Sequence, residues 1–217
     1  MLYTPLTKEA LKIAFMAHKD QKDKGGLPYI YHPYHLAELM DTEDEVVVAL
    51  LHDVLEDQGD RFSLDTIAEK GFSHESLEAL RLITHDKKEP YVSYVYKLCS
   101  NLLAHKVKES DLHHNLDETR LPASHPQNKK RSLYVFCLSL LEKYGHYGDK
   151  YPYYVVIEKE SPLFYRIKGE EQVDVLLYGN WVSDPSIRES DIIKENPRDL
   201  TFKEGDEGLS NEAILSR

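Results

Sequence analysis

The apolar positions of the first 145 residues follow a helical period. From Ala10 to Phe15, apolar side chains recur three and four residues apart, which is the spacing of one face of an α-helix. Thr7 is a suitable N-cap, and Gly25-Gly26 ends the pattern. We therefore predict a first helix over about residues 7–22.

A second helix is predicted around the run Val46–Leu51, which is apolar in every direction. A helix of this kind is buried on most sides. Thr42, followed three residues later by Glu45, is the pattern of a capping box, so this helix is predicted to begin there and to continue to about Asp57. Its C-terminal end is then expected inside the protein.

Four ionisable side chains follow this apolar run. His52 and Glu56 are four residues apart, as are Asp53 and Asp57, which predicts two i,i+4 pairs on adjoining helical faces. A buried carboxylate without a partner is costly, and two acids at a helix C-terminus face the negative end of its dipole. The segment therefore predicts a cation close to these acids. The simpler alternative, from these residues alone, is a helix that ends at the surface with its acidic side chains in solvent.

Two further stretches carry similar side chains. His32-Pro33 predicts a helix with His32 as N-cap and the proline at its first position. In a helix around residues 107–116, Lys108, Asp111 and Asn115 fall on one side. Taken singly, a lone histidine is more often structural than a ligand, and a polar helix face is usually solvent-exposed.

Beyond residue 145 the apolar positions no longer follow a helical period. Three short runs rich in β-branched and aromatic residues predict a three-stranded antiparallel meander: Tyr153–Ile157, Leu163–Ile167 and Val173–Tyr178. From Asp184 the chain is polar and acidic, which predicts a partly flexible tail with a short helix near residues 210–215. We therefore predict a mainly α fold with a small C-terminal antiparallel β extension, divided into residues 1–145, 146–186 and 187–217.

The predicted meander carries more aromatic surface than a lone three-stranded sheet can bury. We predict that its apolar face packs on helices of the same chain, with a homodimer as the alternative. The side chains assigned to this face are Tyr154, Val156, Phe164 and Leu176.

Composition narrows the functional class. The chain has 217 residues, 41% of them hydrophobic, which suits one domain with an appendage. A formal net charge of −11 disfavours non-specific binding to DNA, RNA or an anionic membrane. Cys99 and Cys137 show no disulfide pattern, the first residues lack the features of a signal peptide, and no apolar run approaches 18 residues. We expect a cytoplasmic protein without nucleic-acid or membrane partners.

The polar residues of the helical part include side chains of the kinds that bind metal ions. Two imidazoles and two carboxylates suit Mn²⁺, Fe²⁺, Co²⁺ or Zn²⁺ with water positions left open: His32, His52, Asp53 and Asp111. The loop over residues 22–29 combines two lysines with two glycines, so backbone N–H groups and positive charge can approach a phosphate there.

In these motifs the chain resembles the HD-domain metal-dependent phosphohydrolases, and among them the small stand-alone relatives of the RelA/SpoT hydrolase domain. The matching segments cover roughly residues 1–145 in the order and spacing of the family: Ala17–Gln21, Pro28–Pro33, Ala49–Asp57 and Val107–Asn115. The resemblance implies an HD-domain helical bundle in this part of the chain.

The resemblance also implies a metal site and catalytic acids. One divalent metal, usually Mn²⁺ in this family, is bound by a set of four side chains: His32, His52, Asp53 and Asp111. Glu56 and Asp57 match the acidic pair that handles the attacking water. The family reaction removes pyrophosphate from the 3′ position of guanosine tetra- or pentaphosphate.

The resemblance implies substrate contacts at three positions, and a fourth residue is a candidate for the base. Lys24 and Lys108 match basic residues that line the pocket, and Asn115 matches an asparagine near the sugar and phosphate. Where the long RelA/SpoT enzymes carry an arginine that stacks on guanine, this chain has Asp23, so the base that it recognises is left open. Guanine could contact Tyr29 instead.

Two alternatives to this nucleotide pyrophosphohydrolase remain. One is an HD phosphohydrolase that acts on another nucleotide, for instance a nucleoside monophosphate. The other is a sensing module that binds a nucleotide without turnover. The presence of Glu56 and Asp57 weighs against the sensing module, since a binding protein has little need for acids beside an attacking water.

Overall fold

The computed structural model describes residues 1–119, 121, 130–145, 153–157, 162–167, 173–177, 180–183, 185 and 201–202. By its internal contacts the chain divides into two units, Met1–Pro126 and Gln127–Arg217. The domain boundary predicted after residue 145 differs from this division, because the contacts group the last helix with the strands. The function assigned to each predicted part stays a prediction.

The described part of the first unit is helical. Its helices, in chain order, are α1 (Pro5–His18), α2 (Tyr31–Glu38), α3 (Glu43–Leu51), α4 (Val54–Asp57), α5 (Leu64–Ala68), α6 (His74–Ile83), α7 (Tyr91–Leu98) and α8 (Leu102–Leu116). Among the described residues, no helix combines the length and the apolar character needed to cross a membrane.

Capping boxes define where several helices begin. Thr42 caps α3 and exchanges hydrogen bonds with Glu45, as predicted. The predicted N-cap of the first helix is wrong, because Thr4 holds that position and Thr7 is the reciprocal partner three residues on. Pro5 occupies the first helical position, where the missing N–H of a proline has no cost.

Helix α3 forms the centre of the first unit. Its residues Val46–Leu51 are all buried, with at most 1% of each exposed, and α3 contacts α1, α2, α6 and α8. Full burial of an aliphatic side chain contributes roughly 1.5–3 kcal/mol. This apolar run therefore both stabilises the fold and brings the polar residues that follow it inside the protein.

The central helix is interrupted where the sequence predicts continuity. Helix α3 ends at Leu51 and α4 begins at Val54, so the continuous helix to Asp57 is wrong. The side chain of His52 donates from Nδ1 to the carbonyl of Ala49 at 2.8 Å. That carbonyl would otherwise accept from the backbone N–H of residue 53, so the side chain competes with the helical hydrogen bond.

The start of α2 also differs from the prediction. The helix begins at Tyr31 with Ile30 as its N-cap, so His32 lies inside the first turn and not at the cap. Pro33 is the third helical residue, and a proline is tolerated in the first turn because the N–H groups there have no intrahelical partner.

The second unit contains α9 (Arg131–Gly145) and an antiparallel sheet. The strands are β1 (Tyr153–Ile157), β2 (Pro162–Ile167), β3 (Val173–Leu177), β4 (Asn180–Ser183) and β5 (Thr201–Phe202), in the order β4-β3-β2-β1-β5. The three predicted strands are confirmed, and β4 and β5 extend the sheet at its two edges. A mainly α fold with a C-terminal antiparallel β extension is thus confirmed.

Helix α9 packs against β2 and β3. Leu176 of β3 is buried, and the indole N–H of Trp181 donates to the hydroxyl of Ser139 on α9 at 3.4 Å. The side chains of Tyr154, Val156 and Phe164 lie outside the described residues, as does the predicted helix near residues 210–215. Of the predicted flexible tail, the structure describes Thr201–Phe202, which pairs with β1.

Candidate metal centre

Three parts of the first unit bring the predicted metal ligands together. His32 lies in the first turn of α2, His52 and Asp53 occupy the junction between α3 and α4, and Asp111 lies on α8. Helices α2 and α8 each contact α3. The residues between Leu51 and Val54 therefore face side chains from two neighbouring helices.

Three of these side chains form a compact group. His52 Nε2 lies 3.0 Å and His32 Nε2 lies 3.7 Å from Asp53 Oδ2. One ligand atom from each residue lies within 4.8 Å of the others, so the three residues could hold a metal ion. Both histidines are buried, which excludes bulk water from most of the site.

Asp111 adjoins this group without belonging to it. Its Oδ1 lies 3.2 Å from His32 Nε2 and accepts from Asn115 Nδ2 at 2.5 Å, while its Oδ2 lies 2.7 Å from the ammonium of Lys108. Both oxygens of this buried carboxylate are thus engaged by donors on α8. Its role as a fourth metal ligand stays a prediction.

The environment of His52 fits a metal ligand. A carbonyl oxygen can only accept a hydrogen bond, so the contact with Ala49 fixes the proton of the neutral ring on Nδ1. Nε2 then presents a lone pair; it is buried and has no hydrogen-bond partner among the residues that the structure describes. An imidazole lone pair 3.0 Å from an Asp53 carboxylate oxygen needs a positive charge beside it.

The pKa shifts of these residues also show that the buried carboxylates depend on positive charge beside them. Burial alone would raise the pKa of Asp53, but the neighbouring His52 and His32 hold it well below its usual range. Burial likewise opposes the lowered pKa of Asp111, which the charge of Lys108 maintains. Burial would lower the pKa of His52, yet the Asp53 carboxylate raises it to about 9. A divalent cation beside Asp53 and Asp111 would supply positive charge that keeps these buried carboxylates ionised.

Tyr29 is bound to the metal-site carboxylate. Its hydroxyl donates to Asp53 Oδ2 at 2.5 Å. Burial and the charge of Asp53 raise the pKa of Tyr29 above its usual range, so the phenol stays a donor. The structure therefore places Tyr29 as a partner of Asp53, and a contact with the substrate base stays a prediction.

The two acids predicted to handle water differ in environment. Glu56 is half-buried, and burial and the charge of Asp53 raise its pKa, a shift that Lys108 and His85 oppose. Asp57 is exposed, and its Oδ2 accepts from Gln21 Nε2 at 2.8 Å. Of the two, Glu56 is the less exposed, and its raised pKa makes its carboxylate a better proton acceptor than an ordinary glutamate.

The two lysines predicted to contact the substrate lie in different environments. Lys108 is buried beside Asp111, with its ammonium about 5.4–5.5 Å from the ring centres of Tyr91 and Tyr94. Lys24 is exposed in the loop between α1 and α2. In that loop the carboxylate of Asp23 accepts from the backbone N–H of Leu27 at 2.9 Å.

Several residues of the site carry no role in the sequence-based prediction. Gln21 accepts from His18 Nδ1 at 2.7 Å while it donates to Asp57, and His114 Nδ1 lies 2.6 Å from His32 Nδ1. The position of His114 three residues after Asp111 on α8 is the signal that could have indicated it. The influence of His85 on Glu56 has no signal of this kind, since it depends on tertiary packing.

Two lysines of α8 allow a matched test of charge burial. Lys108→Met is expected to lower the free energy of unfolding by about 3–5 kcal/mol, because it leaves the buried Asp111 carboxylate without its cation. Lys106→Met removes a lysine that pairs with Asp41 and Glu45 but whose side chain is 36% exposed, and we expect a loss of about 1 kcal/mol or less. Urea denaturation with a chelator present measures the free energy of unfolding of both variants. Equal losses would contradict the claim that Lys108 compensates a buried charge.

Comparison with known proteins supports the fold. No protein-family model matches the chain, and no curated protein matches it. Among solved structures, the chain is similar to a metazoan ortholog of SpoT that hydrolyses ppGpp and plays a role in starvation responses. The TM-score is 0.55 at 22% identity, over 67% of this chain and 88% of that chain. The chain therefore has the HD-like helical fold of that structure.

Proposed function

We propose that this chain is a metal-dependent nucleotide phosphohydrolase that removes the 3′-pyrophosphate of guanosine tetra- or pentaphosphate. The observation that carries the proposal is the buried Nε2 of His52, which faces the Asp53 carboxylate and has no hydrogen-bond partner within the described part of the chain. The fold shared with a ppGpp hydrolase supports it.

The metal site proposed here consists of His32, His52 and Asp53, with Asp111 as the fourth ligand. A divalent cation, with Mn²⁺ favoured over Fe²⁺, Co²⁺ or Zn²⁺, supplies Lewis acidity that makes water easier to deprotonate and offsets phosphate charge. The buried Lys108 holds the Asp111 carboxylate ionised and in place. The hydroxyl of Tyr29 does the same for one oxygen of Asp53.

Glu56 is assigned as the general base. Its half-buried carboxylate lies one helical turn beyond Asp53, shielded in part from bulk water. The raised pKa of Glu56 makes the carboxylate a better acceptor for the proton of the attacking water. Asp57, held by Gln21, is assigned to orient that water from the exposed side.

The substrate is proposed to enter from the side of exposed Asp57 and Lys24. Lys24 then meets a phosphate group as a mobile cation, while Asn115 and Lys108 act through Asp111. A different nucleotide is the second candidate, because Asp23 replaces the family arginine and its carboxylate closes the turn to Leu27. That geometry offers no cation to stack on guanine from position 23.

A turnover screen tests the proposal. Purified protein with Mn²⁺ is offered guanosine tetra- and pentaphosphate and a panel of nucleoside monophosphates, and pyrophosphate and phosphate are measured separately. We expect pyrophosphate from the guanosine polyphosphates alone. Phosphate from a monophosphate would favour the second candidate. Tight nucleotide binding with no product from any member of the panel would indicate a sensing module.

A further inference from the structure

We propose that His114 is a positioning residue for the metal centre: its Nδ1 accepts the Nδ1 proton of His32 and so keeps Nε2 of His32 available to a metal. This inference rests on the metal site of the proposed function, although not on the identity of the nucleotide. It assigns a role to a side chain that is not among the proposed ligands and is not one of the proposed catalytic acids.

The contact joins two helices of the first unit. His32 on α2 and His114 on α8 lie with their Nδ1 atoms 2.6 Å apart, and their rings are nearly parallel, with centroids 4.8 Å apart and an interplanar angle of 17°. His32 is 5% exposed, so bulk water cannot easily replace the partner. On the opposite side of the His32 ring, Nε2 faces the carboxylates of Asp111 and Asp53.

One hydrogen bond between two Nδ1 atoms needs a single proton, and the position of that proton decides what His32 can bind. If His32 carries it, Nε2 of the neutral ring has a lone pair for a metal, and His114 carries its own proton on Nε2. If His114 carries it, His32 is protonated on Nε2 and donates to Asp111 instead. Each arrangement holds two protons on the two rings, so exchange between them changes no net charge.

The two histidine ligands are therefore oriented by different means. The partner of His52 is the carbonyl of Ala49, which can only accept, so the tautomer of His52 is fixed by the backbone. The partner of His32 is a side chain that can accept or donate. This makes His114 the residue that selects the metal-binding form of His32, in the manner of an outer-shell ligand.

Variants at position 114 test the inference by metal affinity. His114→Phe keeps a ring but removes the acceptor, and we expect it to raise the Kd for Mn²⁺, measured by competition with a chelator, by about 10–100-fold. His114→Asn offers an amide oxygen near the position of Nδ1 and is expected to keep most of the wild-type affinity. His113→Asn removes the exposed neighbouring histidine of α8 and should bind as the wild type does.

Nitrogen NMR of histidine-labelled wild-type protein with Zn²⁺, a diamagnetic probe, gives a second readout. We expect His32 protonated on Nδ1 and His114 protonated on Nε2 in the loaded protein. The reverse assignment would overturn the inference even if His114→Phe failed to fold. Unchanged Mn²⁺ affinity in a folded His114→Phe, or equal weakening in His114→Asn, would also overturn it.

These results are separable from a failure of the proposed function. A wild-type protein that binds Mn²⁺ but turns over no nucleotide would contradict the proposed activity and leave the role of His114 intact. A wild-type protein that turns over nucleotide while His114→Phe retains full Mn²⁺ affinity would contradict the role of His114 and leave the proposed activity intact.

Discussion

Asp53→Ala is expected to weaken the binding of Mn²⁺ by about 100-fold or more. Loss of a residue that only hydrogen-bonds a metal ligand lowers metal affinity by about 10–100-fold, and this change removes a ligand itself. The Asp53 carboxylate lies within 3.7 Å of Nε2 of both His32 and His52, so the change removes the group that joins the two imidazoles. Metal content after dialysis and titration with Mn²⁺ measure the effect, and turnover should disappear with the metal.

Asp60→Ala is the matched control for this change. Asp60 is an exposed aspartate seven residues further along the chain, and its loss should alter neither metal content nor turnover. Thermal unfolding of both variants in chelator shows whether the fold survives. Full metal occupancy in Asp53→Ala, or anomalous scattering that places the ion away from His32 and His52, would contradict the site.

Glu56→Gln is expected to lower kcat by about 100-fold or more while Mn²⁺ affinity stays near that of the wild type, since a positioned general base contributes 10²–10⁴-fold. Glutamine keeps the size of the side chain and an oxygen that can accept a hydrogen bond, but it cannot take a proton from water. Single-turnover kinetics with the substrate identified by the screen separates the chemical step from binding.

Glu69→Gln provides the comparison for Glu56→Gln, because Glu69 is an exposed glutamate just after α5, remote in sequence from the acidic pair. Its kcat should equal that of the wild type. If Glu56→Gln also retained full kcat, the base would have to be another group, and Asp57→Asn would be the next variant to measure.

Much of the secondary structure is predictable from local patterns. The capping box of Thr42 and Glu45, the serine cap at Ser73, and the β-branched and aromatic run Tyr153–Ile157 all depend on residues close in sequence. Local patterns also indicate which segments are buried, since the six apolar residues Val46–Leu51 are all inside. Helix starts are less predictable: α2 has no side-chain cap, and at α1 the two threonines Thr4 and Thr7 are both suitable N-caps by residue type.

The interruption after Leu51 shows the limit of such patterns. No glycine or proline marks the break, and apolar residues continue at Val54 and Leu55. The helical period therefore predicts one continuous element. The contact from the His52 side chain to Ala49, within a junction surrounded by α2 and α8, accompanies the change of direction. A sequence pattern carries no information about that competition between side chain and backbone.

The sequence alone determined the residue types available to the site, the helical fold of the first unit and the strands of the second, because spacing, capping and burial are local properties of the chain. Only the tertiary structure decided how those side chains engage one another. Lys108 and Tyr29, predicted as substrate contacts, hydrogen-bond the carboxylates of Asp111 and Asp53. His114, which lies 82 residues from His32, shares a hydrogen bond with it because packing of α8 near α2 brings the two rings together.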